Sequence, residues 1–93
     1  MKFAELKAKI VPVLRRYDVE KASLFGSYVK GEESEKSDID ILIQFKGEKS
    51  LLDLAGLKIE LEEILGKRVD VLTYNSLHPL LRNKILKEQK VIL

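Results

Sequence analysis

Two aspartates one residue apart, Asp38 and Asp40, head an apolar run that continues Ile39, Ile41, Leu42, Ile43. Read as a strand, this stretch has a period of two, so the aspartates share one face and Ile39, Ile41 and Ile43 take the other. Adjacent carboxylates repel and are costly to desolvate, so a fold gains no stability from such a pair. The pair calls for a compensating charge. With no cysteine and one histidine, thiolate and multi-histidine metal sites are excluded. Oxygen donors remain, and they suit Mg²⁺, with Mn²⁺ as the alternative.

Upstream, the run Val19 to Phe25 ends at Gly26-Ser27. Glycine lets a backbone approach a phosphate, and the amides and hydroxyl of a strand-to-helix turn can cradle one. Lys30 and Lys36 stand close enough in sequence to add a cation. Downstream, Arg68 to Thr73 alternates again, with Val69 and Val71 to one side and Asp70 and Leu72 to the other. If the two aspartate-bearing strands pair with their starts aligned, Asp70 joins Asp38 and Asp40. Three such carboxylates can hold two divalent ions, and Asp70 can also accept a proton from an attacking hydroxyl.

The remaining chain supplies a scaffold. Residues 2–17 space Phe3, Leu6, Ile10, Val13 and Leu14 as an amphipathic helix, with a kink or fresh start expected at Pro12. A single helical turn is expected over Ser27 to Lys30. Ser50 and Asp53 form a capping-box pattern at the head of a helix with Leu51, Leu54, Leu57, Leu61, Ile64 and Leu65 apolar, its leucines expected in the core, closed by Gly66. Pro79 suits the first turn of a last helix carrying Leu81, Ile85 and Leu86 inward, and Val91 to Leu93 a short final strand. The order α, β, β, α, β, α, β predicts an α+β (mixed α/β) fold, a small mixed sheet with helices packed on it, as one domain over residues 1–93.

A net charge of +2 argues against direct nucleic-acid binding through bulk charge. No apolar run has the length of a membrane span or a signal peptide, which predicts a cytoplasmic protein.

The segments Leu24-Phe25-Gly26-Ser27-Tyr28-Val29-Lys30-Gly31 and Lys36-Ser37-Asp38-Ile39-Asp40, followed by the lone Asp70, resemble the minimal nucleotidyltransferases of the polymerase-beta-like superfamily. The resemblance runs from about Val19 to the C-terminal helix and implies the nucleotidyltransferase fold. It assigns Asp38, Asp40 and Asp70 to catalysis and to two Mg²⁺ ions, and Gly26, Ser27 and Lys30 to nucleotide phosphate, Lys30 standing where the family usually carries arginine. It further implies transfer of AMP from ATP to a hydroxyl. In the antitoxin branch that hydroxyl is a tyrosine of a HEPN-domain RNase toxin, which the modification silences. The alternative is a non-catalytic module that neutralises the toxin by contact alone; four intact site residues favour the enzyme. A chain of 93 residues has no room for an acceptor surface, so a partner protein is expected, with homo-oligomer formation left open.

Overall fold

The computed structural model describes residues 2–26 and 38–93. The elements are α1 (Phe3–Arg16), β1 (Val19–Phe25), β2 (Ile39–Phe45), α2 (Leu51–Leu65), β3 (Val69–Thr73), a short 3₁₀ turn (Tyr74–Ser76), α3 (Pro79–Glu88) and β4 (Lys90–Val91). The strands form one mixed sheet in the order β3-β2-β1-β4. β1 pairs antiparallel with β2 and β4, whereas β2 and β3 run parallel. A parallel pair needs a crossover, and α2 supplies it.

The alternation in the strands decides which face goes where. Ile39, Ile41 and Ile43 of β2, Ala22 and Leu24 of β1, and Val69 and Val71 of β3 all bury into one core. α1 and α2 close this core with Leu6, Ile10, Val13 and Leu14 from one helix and Leu57, Leu61 and Leu65 from the other. The opposite face carries a smaller cluster of Leu42, Tyr74 and Leu77, against which Phe25, Ile85 and Leu86 pack. α3 therefore lies on the face that also bears the aspartates.

Local chemistry fixes the ends of α2. Ser50 accepts from the Asp53 amide while the Asp53 carboxylate accepts from the Ser50 amide, and Gly66 closes the helix with φ +65°. Asp53 is held below the usual carboxylate range by those hydrogen bonds. The His78 ring accepts from the Leu80 amide at the head of α3, with Pro79 in the first turn.

Four expectations need correction. α1 passes through Pro12 as a single helix. Pro12 sits on the exposed side, where the carbonyl it leaves unpaired can turn to water. Leu51 is not core; it and Leu52 are each 84% exposed, because they lie in the first turn of α2 beyond the covering reach of the sheet. Leu81 is likewise 54% exposed, and α3 buries none of its residues fully. The final strand starts one residue earlier than expected and ends at Val91. The helical turn expected over Ser27 to Lys30 lies outside the described residues.

Candidate active site

The parallel register of β2 and β3 sets Asp40 directly beside Asp70. Paired residues project to the same face, and here it is the face opposite the large core. Asp40 is half-buried, Asp70 is exposed, and Asp38 stands half-buried just ahead of β2. The Asp40 carboxyl is pushed up to about 6, first by burial, then by the charges of Asp70 and Asp38 and by a hydrogen bond shared with Asp70. Burial and both neighbours act in the same direction. Asp38 and Asp70 thus lie close enough for their charges to act on Asp40.

The donor set fits an oxygen-loving divalent ion, since every nearby ligand type is carboxylate. Among the described residues no three acidic or imidazole groups stand ready-made in ligand geometry.

Gly26 closes the end of β1, adjacent to Phe25, which pairs with Asp40. Its φ is +77°, a region that side chains rarely tolerate. A Cβ placed there would run into the Asp40 Oδ2 and lie 3.2 Å from Cγ. Gly26 is the wall against which Asp40 rests. Ser27 and Lys30, expected to contact phosphate, lie outside the described residues. A cavity of about 380 Å³ opens at the opposite end of β2 and β3 beside Gln44, Lys49 and Asn75. It has no part in the aspartate cluster.

One supporting group was missed in the sequence. Ser23 is fully buried on the aspartate-bearing face of β1. Its Oγ lies 2.9 Å from the Tyr74 hydroxyl and donates to Gln89 Oε1 at 2.6 Å, and Tyr74 in turn donates to Gln89 at 3.2 Å. Arg82 donates to the Tyr74 carbonyl at 3.2 Å. These bonds fasten α3 and the 3₁₀ turn over the sheet, and they make Tyr74 a packing residue. A lone serine between apolar neighbours in a strand was the available signal. Ser23→Ala should cost about 1–3 kcal/mol, since buried Tyr74 and half-buried Gln89 each lose a bond, and a urea titration checks it. An unchanged midpoint would show that α3 is held by Ile85 and Leu86 alone.

Comparison with known proteins agrees with this geometry. The family model described as polymerase beta nucleotidyltransferase matches residues 8–93. A Methanocaldococcus jannaschii protein assigned as a protein adenylyltransferase is 60% identical over 88 residues, 95% of each chain. A solved structure assigned as a minimal nucleotidyltransferase superposes with TM-score 0.82 at 38% identity, covering 97% of this chain and 95% of the other. A toxin–antitoxin crystal structure with AMP-PNP superposes with TM-score 0.83 at 26% identity, over 94% of this chain and 72% of that one. Among the described residues no helix is long and apolar enough to cross a membrane. With an aspartate pair in parallel register, a glycine wall behind it and these relatives, the chain belongs to the polymerase beta nucleotidyltransferase family, in its minimal branch.

Proposed function

We propose that this protein is a Mg²⁺-dependent protein adenylyltransferase that moves AMP from ATP to a tyrosine hydroxyl of a HEPN-type toxin and so acts as its antitoxin. The observation that carries the reading is the Asp40–Asp70 register with its crowded carboxylates. The relatives supply the acceptor class: one is assigned as a protein adenylyltransferase, and one neighbour is a toxin–antitoxin pair with an ATP analogue.

Asp38, Asp40 and Asp70 would hold the divalent metal, Mg²⁺ or Mn²⁺, as two ions in the full site. When bound, metal supplies the positive charge that draws the triphosphate in and offsets charge on the leaving diphosphate. Asp70, exposed on the edge strand, takes the proton from the tyrosine hydroxyl. The hydroxyl oxygen forms a bond to the α-phosphorus, and the bond from that phosphorus to the bridging oxygen breaks. Diphosphate leaves with the electron pair. Gly26, at the end of β1, would face the phosphates, and Ser27 and Lys30 are the further phosphate contacts in this reading.

The test is intact-mass measurement of the toxin encoded beside this protein after incubation with ATP and Mg²⁺. The toxin should gain AMP, and the gain should vanish with chelator or with Asp38→Asn plus Asp40→Asn. Tight binding with no mass change would replace the enzyme with a contact inhibitor.

A further inference from the structure

β3 is an edge strand of the described sheet and also carries Asp70. The Ile39 amide donates to the Arg68 carbonyl at 2.9 Å, so residues 68, 70 and 72 of that strand turn their backbone groups to β2. Val69, Val71 and Thr73 therefore point theirs away from the sheet. Two of these outward groups are already occupied by the chain itself. The Val69 amide donates to Glu62 Oε2 at 3.1 Å, and the Thr73 carbonyl accepts from Ser76 Oγ at 2.9 Å. Between those caps runs an acceptor, donor, acceptor, donor series: Val69 C=O, Val71 N–H, Val71 C=O, Thr73 N–H. That series matches the backbone of an extended tripeptide, and a strand added to such an edge is a known mode of peptide capture.

We propose that this stretch of β3, open among the described residues, seats the acceptor, an extended tripeptide of the protein substrate whose tyrosine stands beside Asp70. The inference rests on the adenylyltransferase reading above. A residue added opposite Asp70 projects onto the aspartate face with its Cβ about 5 Å away, which brings a tyrosine ring over the carboxylates. The next residue turns to the other face, where a groove of about 260 Å³ lined by Leu51, Leu54 and Val71 takes an apolar side chain. The third stands against Leu72, which is 40% exposed. Three aspartates on the seating face favour a neutral or basic segment over an acidic one. The edge is continuous with the reacting site, so binding here positions as well as holds. A second copy of the chain fits poorly. Two-fold pairing about Val71 would bring the two Asp70 residues to a diagonal spacing of about 7–8 Å on one face, merging two acidic sites.

The test uses the full chain with AMP-PNP and Mg²⁺, probed with acetyl-Tyr-Val-Leu-amide and its reverse, acetyl-Leu-Val-Tyr-amide. One of them should slow hydrogen exchange at the Val71 and Thr73 amides by about tenfold or more, with Asp70 and Leu72 little changed. With ATP, the kcat/KM preference for that tripeptide over N-acetyltyrosinamide should fall about tenfold in Val71→Pro, which removes one outward donor from an edge that tolerates proline. Thr73→Pro is the second variant should Val71→Pro fail to fold. Unchanged exchange at both amides under saturating tripeptide overturns the proposal, as does a preference untouched by the folded variant. Protection already present in the chain alone, with a sedimentation mass near twice the 10.7 kDa monomer, assigns the edge to a second copy and also overturns it. Should no acceptor receive AMP, the adenylyltransferase reading fails, and hydrogen exchange with the same two tripeptides still decides the docking.

Discussion

Asp40→Asn should abolish most AMP transfer while making the metal-free protein more stable at neutral pH. A loss of about a thousandfold or more in kcat/KM is expected for removing a charged group from the reacting centre, equivalent to roughly 4 kcal/mol of transition-state stabilisation. The stability effect follows from the Asp40 carboxyl being raised to about 6, with burial first and the Asp70 and Asp38 charges next. A raised folded-state value means the native chain binds the proton more tightly than the unfolded one. Between about pH 4 and pH 6 the native state therefore holds more protons, and stability falls as pH rises through that window. Above it the ionised carboxylate costs up to about 3 kcal/mol, which solvent access to this half-buried group reduces to about 1–2 kcal/mol. Asparagine removes that cost. In EDTA, the variant should therefore unfold at higher denaturant than the parent at pH 7.5, and the two should converge near pH 3.5. Saturating Mg²⁺ should reverse the order, because only the parent gains binding free energy from metal. Parallel urea titrations at both pH values, with EDTA and with Mg²⁺, decide it. An Asn variant less stable than the parent in EDTA at pH 7.5 would remove the argument that the carboxylates are crowded.

Much of this was legible in the residues. The alternation Asp38, Ile39, Asp40, Ile41, Ile43 fixed which face was core, because a period of two leaves one choice once the isoleucines bury. The matching alternation around Asp40 and Asp70 left the alignment of β2 and β3 as a condition, which the register of the two strands meets. Helix faces were harder to read. α2 is apolar nearly all round, so its spacing could not separate Leu57, Leu61 and Leu65, which bury, from Leu51 and Leu52, which do not. Only the position of the sheet decides that. Pro12 misled for a similar reason: its cost depends on whether the freed carbonyl faces water, a property of tertiary placement. The Ser23, Tyr74 and Gln89 network joins residues 51 and 66 positions apart, beyond any local pattern.

Gly26→Ala separates the backbone role of that glycine from its steric one when compared with Gly47→Ala. Both glycines adopt left-handed backbone, φ +77° and +68°, so either alanine incurs a similar strain of about 1–2 kcal/mol. Their surroundings differ. Nothing lies within 4 Å of a Cβ at Gly47, whereas one at Gly26 runs into the Asp40 carboxylate. That short side chain has little freedom to yield, since its Cβ would lie 3.5 Å from the new methyl and the next strand holds Asp70 alongside. The carboxylate must swing off its position or the turn must open. Displacing a reacting group by about 1 Å can cost on the order of a hundredfold in rate. Gly26→Ala should therefore lose about a hundredfold in AMP transfer, and Gly47→Ala should keep parental transfer at a similar loss of stability. Urea midpoints establish that the strain matches, and intact-mass time courses on the toxin report the transfer rates. Equal activity in the two variants would mean that the wall behind Asp40 is dispensable and that the glycine is there for its backbone alone.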